Sequence, residues 1–462
     1  MPAGIAMTAP EPLMPPAPDR SDALAAPPAP GFGEALRYWL RLGCISFGGP
    51  AGQIAILHQD LVEHRRWISE SRFLHALNYC MVLPGPEAQQ LATYIGWLLH
   101  GTKGGIAAGA LFVLPSVFVL IALSWIYLAF GQVPAVAGVL WGIKPAVTAI
   151  VVFAAWRIGS RALKNPVLWA IAAAAFLGIA VFDLPFPLIV IGAGLIGALG
   201  GRLAPQCFRG GGGHGAGKAS YGPALIDDHT PTPAHARIDR GRLTRLALGG
   251  FGLWAGGLGL LALVFGGVLV DMGLFFTKAA LLTFGGAYAV LPYVYQGAVE
   301  HFHWLTGAQM IDGLALGETT PGPLIMVVAF VGYVGAWTKE VLGPDAQAWA
   351  GALGAVVATV FTFLPSFLFI LIGGPWVEAT RGDLKFTAPL TGITAAVVGV
   401  ILSLALFFAE HVLWPAGFGG RFEWLAAVIG AGALVALIRY KAGVIPVIGV
   451  CAGLGLLHGL AG

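Results

Sequence analysis

Apolar segments of roughly 20 residues, about the length that crosses a lipid bilayer, follow one another along most of this chain. Only 10% of the 462 residues are charged and the mean hydropathy is +0.82, whereas soluble domains carry about 25% charged residues. The sequence therefore predicts an all-α polytopic membrane protein. The uninterrupted segments span residues 104–130, 134–156, 167–182, 186–204, 246–268, 351–373, 386–409, 424–438 and 443–460.

Two further apolar segments of the first half are interrupted by glycine and proline. A Phe-Gly-Gly-Pro motif at 47–50 lies inside segment 34–57, and a Leu-Pro-Gly-Pro motif at 83–86 lies inside segment 73–100. Because proline removes a backbone donor and glycine loosens the chain, each segment is predicted to be a broken, re-entrant helical hairpin. Irregular backbone at membrane depth is tolerated only where protein or a water-filled cavity covers it, so the breaks are the candidate site.

The second half repeats the first at a spacing of 237 residues, the step from Phe47 to Phe284. At this spacing the Phe-Gly-Gly, Glu-His and Pro-Gly-Pro motifs all recur, and the Leu-Pro-Ser motif at 114–116 recurs at a spacing of 250. With the hairpins in place, nearly all basic residues fall on one side of the membrane, and segment 246–268 adds one crossing between the halves. The second repeat is therefore predicted to be inverted relative to the first.

These features divide the chain into five parts. Residues 1–31 are predicted to be a disordered Pro/Ala-rich tail, 32–204 the first membrane repeat, 205–243 a cytoplasmic linker, 244–270 a connecting transmembrane helix and 271–462 the second repeat. Each repeat is predicted to contain two broken hairpins and about four spanning helices. The N-terminus and the linker are expected in the cytoplasm and the C-terminus in the periplasm.

The breaks of both repeats supply the predicted binding residues, because a helix that restarts after a break offers unpaired N–H groups and a positive dipole end to an anion. Arg41 and Lys278 are equivalent cations, and a cation inside a membrane segment normally marks a ligand or a pathway. Snorkelling of these side chains to an interface is the alternative. The predicted substrate-binding residues are Arg41, Ser46, Phe47, Gly48, Gly49, Pro84, Gly85, Pro86, Lys278, Thr283, Phe284, Gly285, Gly286, Pro321, Gly322 and Pro323.

The implied pocket would hold a small oxyanion near the bilayer midplane, as in inverted-repeat secondary transporters. Coupling to protons would require titratable groups nearby, and the candidates are Glu87, Glu318 and Lys144. Glu87 has an alternative role as a first-turn carboxylate that stabilises its own helix N-terminus. The residues by themselves leave both roles open.

This sequence resembles the chromate ion transporter family in its Ser-Phe-Gly-Gly-Pro motif at 46–50, its Glu-His-Arg-Arg-Trp stretch at 63–67, its Leu-Pro-Gly-Pro motif and its repeated half. The resemblance covers residues 32–204 and 270–400. It implies a bacterial inner-membrane protein that exports chromate by alternating access around a midplane site and confers chromate resistance. The second half departs from the motif, reading Thr-Phe-Gly-Gly-Ala-Tyr at 283–288, so the site is expected to be only approximately symmetric.

Two alternatives stay open from the sequence. A permease for sulfate or molybdate would need the same architecture, since these ions share the shape and charge of chromate, and sulfate is the expected competitor. A membrane-embedded enzyme is the alternative of another class, but motifs such as His-Glu-x-x-His and Gly-x-Ser-x-Gly do not occur in the sequence, and no catalytic residue is assigned.

No cofactor, metal ion or nucleic acid is expected as a partner. Residues 212–218 have the Gly-x-x-x-x-Gly-Lys skeleton of a phosphate-binding loop, but Ala219 replaces the required Ser or Thr. The linker contains His214 and His235, yet a Gly/Pro-rich segment has no means of fixing metal geometry and is expected to be solvated. The expected partners are the lipid bilayer and the oxyanion, and a homodimer is left open.

Overall fold

The computed structural model is almost wholly helical, which confirms the all-α class predicted from the apolar segments. Within the described residues, the one pairing of extended backbone is a parallel bridge between Ile68 and Ile226. The described residues are 26–47, 49–208, 221–284, 287–379 and 387–461.

The first half begins with short interrupted helices and continues with long ones. The helix α4 bends at His100 and Gly101, where the backbone leaves helical geometry, and so joins the end of broken segment 73–100 to the predicted span 104–130. The helices are α1 (Phe32–Ile45), α2 (Gly49–His58, continued by the π-helical stretch Gln59–His64), α3 (Glu70–Val82), α4 (Glu87–Phe130), α5 (Pro134–Ala162), α6 (Pro166–Ala180), α7 (Phe186–Leu203) and the single turn α8 (Pro205–Phe208).

The second half opens with the connecting helix and then repeats the order of the first. The connecting helix begins before its apolar segment, because the Asp239 side chain accepts the N–H of Gly241 at 3.0 Å and caps a polar first turn. The helices are α9 (Arg240–Val264), α10 (Gly267–Leu282), α11 (Ala287–Tyr295, continued by the π-helical stretch Gln296–His301), α12 (Gly307–Thr319), α13 (Val327–Thr338, preceded by the 3-10 turn Leu324–Met326), α14 (Gln347–Ala379), α15 (Thr387–Leu413), α16 (Trp424–Arg439) and α17 (Val444–Ala461).

All nine uninterrupted apolar segments are helical, but they differ in length. Pro166–Ala180, Trp424–Arg439 and Val444–Leu460 are apolar helices of 10–17 residues, and they match the predicted segments 167–182, 424–438 and 443–460 to within two residues at each end. Helix α6 ends for a local reason, since Asp183 takes a positive φ of 49° just beyond the helix and Pro185 follows. Six of the described helices are long and apolar enough to cross a membrane: Glu87–Phe130, Pro134–Ala162, Phe186–Leu203, Arg240–Val264, Pro344–Ala379 and Ala388–Leu413.

Secondary structure repeats at the 237-residue spacing found in the sequence. The π-helical stretch Gln59–His64 is matched residue for residue by Gln296–His301, and α3 is matched in the same way by α12. Arg66 and His303, which are equivalent at this spacing, both have a φ of 50°. The repeat therefore extends beyond shared motifs to backbone conformation at positions whose side chains differ.

The two halves share one hydrophobic core. Helix α4 of the first half packs against α13 and α14 of the second, and α5 packs against α15, α16 and α17. Large side chains of both halves are fully buried in this core, among them Trp39, Trp97, Trp304 and Phe330. Repeats that are separate in sequence are thus interleaved in space.

Part of the predicted linker is docked onto the first half. In the docked segment (residues 221–239), Ile226 accepts the N–H of Ser69 and donates its own N–H to Trp67, both at 3.0 Å. His235 bonds the Trp97 carbonyl through Nε2 at 2.8 Å, and burial lowers the pKa of its ring. The expectation of a solvated linker is wrong for these residues because a Gly/Pro-rich composition does not reveal backbone pairing with a distant loop. The phosphate-loop skeleton at 212–218 and His214 lie outside the described residues.

Candidate functional site

Each of the four motifs interrupts a helix, as the sequence predicts. In the first half, α1 ends at Ile45 before α2 starts at Gly49, and α3 ends at Val82 before α4 starts at Glu87. In the second half the corresponding gaps separate α10 from α11 and α12 from α13. Gly48, Gly285 and Gly286, three of the predicted binding residues, lie outside the described residues.

The breaks of the two halves are joined to one another by reciprocal backbone hydrogen bonds. The Gly85 N–H donates to the Thr283 carbonyl at 2.7 Å, and the Gly322 N–H donates to the Ser46 carbonyl at 2.8 Å. Each bond connects the Pro-Gly-Pro motif of one half to the residue before the Phe-Gly-Gly motif of the other. The four breaks therefore meet as two equivalent pairs, and each pair contains one break from each half.

The first break pair consists of residues 46–47, 49 and 321–324. The amide group of Gln53 donates to the Gly322 carbonyl at 2.5 Å and to the Ser46 carbonyl at 3.3 Å. A Cβ on Gly49 would lie 3.1 Å from Cδ1 of Leu324, so the start of α2 abuts the start of the 3-10 turn. Gln53 was missed by the sequence analysis, although its position one turn after the Phe-Gly-Gly motif was a usable signal.

The second break pair consists of residues 283–284 and 84–87. The side-chain amide of Gln90 donates to the Pro84 carbonyl at 2.8 Å and lies 3.4 Å from Oγ of Ser366. Burial is alike in the two pairs, since the glycine and second proline of each Pro-Gly-Pro motif are buried and the first proline is half-buried. Phe47 and Phe284 are half-buried as well.

The Leu-Pro-Ser motifs pack against the glycines of the breaks. A Cβ on Gly85 would lie 2.3 Å from Oγ of Ser366, and a Cβ on Gly322 would lie 2.8 Å from Cβ of Ser116. Both serines are buried, and Oγ of Ser116 has no hydrogen-bond partner within the described residues. The sequence showed these serines only as markers of the repeat, because contact across the two halves cannot be read from one half.

Backbone donors are available at the start of α4. The Gln90 N–H bonds the Pro86 carbonyl, which is the first bond of the helix. The N–H groups of Glu87, Ala88 and Gln89 precede it and have no acceptor among the described residues, as expected for a first turn. Such a turn carries a partial positive charge that suits an oxyanion.

The two hydroxyls predicted to donate to an oxyanion are already engaged. Ser46 donates to the Leu42 carbonyl at 2.6 Å, and Thr283 donates to the Ala279 carbonyl at 2.7 Å. Both side chains are completely buried. Each hydroxyl would have to give up its bond to the preceding turn before it could donate to a ligand.

The two equivalent cations take no part in the hydrogen bonds of the break pairs. Arg41 and Lys278 are exposed, whereas the face of α1 that includes Tyr38 and Leu42 is buried. Neither cation has a hydrogen-bond or ion-pair partner within the described residues. Their side chains can therefore act on a ligand only through longer-range attraction unless they move.

The predicted coupling residues occupy three different settings. Glu87 is the first residue of α4, where a carboxylate is favourable. Glu318 lies in the last turn of α12, where a carboxylate is unfavourable, and it accepts a hydrogen bond from the Tyr288 hydroxyl. Nζ of Lys144 lies 3.4 Å from Oδ1 of Asp312, an acidic residue that the sequence analysis missed although it lies among apolar residues of α12.

A second buried ion pair also joins the halves. Arg72 of α3 bonds Glu378 of α14 at 2.5 Å, and the side chains are 6% and 2% exposed. Tyr94 donates to the same carboxylate, and Arg72 also donates to the Asp227 carbonyl of the docked segment at 3.3 Å. The pairing of Arg72 with Glu378 could not be predicted from the sequence, because the two residues are 306 positions apart.

No group of three or more His, Cys, Asp or Glu side chains within the described residues is arranged to hold a metal ion. The four cysteines are free, and two of them are buried.

Comparison with known proteins gives a consistent result. The sequence model described as "Chromate transporter" matches residues 33–198 and 270–456. The chromate transport protein of Pseudomonas aeruginosa is 33% identical over 87% of this chain and 89% of its own length, and that of Cupriavidus metallidurans is 29% identical over 88% of each. A probable chromate transport protein of Synechococcus elongatus is 27% identical over 86% of this chain and 89% of its own length. No solved structure gives a significant match.

We predict that Gly322→Ala destabilises the protein, because φ is +107° and the new Cβ would lie 2.8 Å from Cβ of Ser116. The expected loss is about 1–3 kcal/mol, measured as a lower melting temperature of the purified protein in detergent. Adding Ser116→Gly should recover the part due to the clash. Gly417→Ala is the matched control, since φ is +78° there but no atom lies within 4 Å. Equal melting of Gly322→Ala and wild type would contradict the close packing.

Proposed function

We propose that this chain, which belongs to the chromate transporter family, carries chromate or a similar tetrahedral oxyanion across the bacterial inner membrane by alternating access. Family membership places it among multi-pass membrane transporters rather than enzymes. We further propose that it exports chromate from the cytoplasm and so confers chromate resistance. The observation that carries the proposal is the reciprocal pairing of the breaks through Gly85 and Gly322.

A membrane protein that binds and releases a doubly negative ion needs donors that cost the protein little stability when the ion is absent. Backbone N–H groups at a helix start meet this need, because they are fixed by the helix and carry only partial charge. The first turn of α4, beside the second break pair, supplies three of them. A permanently buried cation would instead bind a dianion tightly and slow its release.

The pairing of breaks also supports alternating access. Because each pair contains one break from each half, any rocking of one half against the other must change both pairs together. The matching π-helical stretches and the matching helices α3 and α12 supply the structural equivalence that two alternating states require. The broken segments act in this proposal as re-entrant hairpins, and α9 as the crossing that inverts the second repeat.

The inverted arrangement predicts the position of the chain termini. Reporter tags before residue 1 and within the 205–243 linker should be found in the cytoplasm, and a tag after residue 462 should be found in the periplasm. Protease protection in intact and everted vesicles distinguishes these positions. A cytoplasmic C-terminus would overturn the inverted repeat without touching the family membership.

Transport itself is tested by uptake of radiolabelled chromate into everted membrane vesicles from an expressing strain. We expect accumulation above that of vesicles lacking the protein, and stronger inhibition by unlabelled chromate than by sulfate or molybdate. Stronger inhibition by sulfate or molybdate would favour the alternative of a general oxyanion permease. Chromate uptake no higher than in vesicles lacking the protein would overturn the proposed function.

Arg41 and Lys278 are proposed to attract the anion rather than to bind it, since both are exposed and lie five residues before a break. We predict that Arg41→Gln and Lys278→Gln each raise KM for chromate by about threefold at low ionic strength, with less effect in high salt. The maximal rate should change little. Arg421→Gln, at another exposed cation, is the matched control. A fall in maximal rate with unchanged KM would contradict this role.

A further inference from the structure

A cluster of three ionisable side chains joins the two halves, in which Asp312 is buried and Lys144 and Tyr127 are half-buried. Asp312 of α12 is 4% exposed, and its Oδ1 lies 3.4 Å from Nζ of Lys144 on α5. The Tyr127 hydroxyl on α4 donates to the other carboxylate oxygen at 2.9 Å. One residue thus comes from the second half and two from the first.

Stability gives little reason for such a cluster. A buried ion pair is often no more stabilising than a well-packed apolar pair, because removing both charges from water offsets their attraction. Ionisable residues inside membrane segments more often take part in ion or proton movement. The cluster is therefore better explained by a role in ion or proton movement than by its contribution to folding.

The repeat shows that the two equivalent interfaces carry their ionisable residues at different positions. At the 237-residue spacing His75 corresponds to Asp312, and at the 250-residue spacing Val377 corresponds to Tyr127. His75 contacts the Val377 carbonyl at 3.2 Å, and Thr394 occupies the position equivalent to Lys144. The ion pair of that interface is formed instead by Arg72 and Glu378, at positions that are not equivalent to Lys144 and Asp312.

We propose that Asp312 is the group that binds the transported proton, with Lys144 as its counter-charge and Tyr127 as its hydrogen-bond donor. This inference rests on the proposed function and adds its coupling ion. When Asp312 is ionised, its charge balances that of Lys144. When a proton adds to the carboxylate and forms an O–H bond, the positive charge of Lys144 is left uncompensated, and a dianion elsewhere in the protein can offset it.

The position of Asp312 connects the protonation of its carboxylate to the breaks. Helix α12 runs from Gly307 to Thr319 and ends at the second Pro-Gly-Pro motif, so a shift of α12 is transmitted to the Gly322–Ser46 bond. The only charged or titratable side chains found to act on Asp312 within the described residues are Lys144 and Tyr127. Other titratable residues on helices packed against α12 contact other groups. Tyr333 stacks on Trp337, whereas the rings of His411 and His458 lie tilted against Phe407 and Trp141. Cys451 is buried, and Glu410 lies near the end of α15.

The test uses purified protein in liposomes with equal potassium on both sides and valinomycin to clamp the membrane potential. For one proton per cycle, a pH difference of about one unit should support about tenfold chromate accumulation by the wild type. Asp312→Asn should abolish this accumulation but retain exchange of labelled for unlabelled chromate. Accumulation by Asp312→Asn equal to that of wild type would overturn the inference.

Two further variants separate coupling from folding. Asp312→Asn combined with Lys144→Gln removes both charges, so it leaves no unbalanced charge and should exchange chromate without responding to pH. Arg72→Gln combined with Glu378→Gln removes the other buried ion pair and should keep the pH-driven accumulation. Loss of accumulation in this control as well would overturn a specific role for Asp312.

The wild-type measurements separate this inference from the proposed function. Chromate exchange without a response to the pH difference would overturn only the proton-binding role. Absence of chromate exchange in the wild type would overturn the proposed function and the inference with it.

Discussion

In a lipid bilayer every buried backbone N–H and C=O group must find its partner inside the protein, and a helix break leaves several of these groups open. Here the Pro-Gly-Pro break of each half is joined to the Phe-Gly-Gly break of the other through the N–H groups of Gly85 and Gly322. Each half therefore uses backbone groups of the other half to close its breaks. The interleaved core, in which α4 and α5 pack on helices of the second half, brings the partners together.

The same pairing restricts how an oxyanion could be held. The glycine N–H groups and the hydroxyls of Ser46 and Thr283 already have acceptors, and Arg41 and Lys278 face outward. Among the described residues, the first amides of α4 are donors that remain without an acceptor, and Gln53 and Gln90 hold the neighbouring carbonyls. Recognition would then depend on the placement of fixed backbone donors, which suits discrimination among anions of similar shape and charge.

Two ion pairs join the halves, and they involve different residues at the two equivalent interfaces. Arg72 and Glu378 join α3 to α14 and also fasten the docked segment through the Asp227 carbonyl. Lys144 and Asp312 join α5 to α12, next to a break. Each pair fixes one half against the other, since leaving either partner unpaired would be strongly unfavourable. The halves therefore share a fold but not a charge pattern.

The sequence by itself determined the features that depend on neighbouring residues. Apolar length predicted the helices, glycine and proline predicted the breaks at 47–50 and 83–86, and self-comparison predicted the repeat, because each follows from local backbone chemistry or composition. Only the tertiary structure decided which break meets which, that residues 221–239 dock, and that Asp312 rather than a residue at the breaks is the partner of Lys144. These contacts join positions far apart in the chain, and their energy depends on how the two halves interleave.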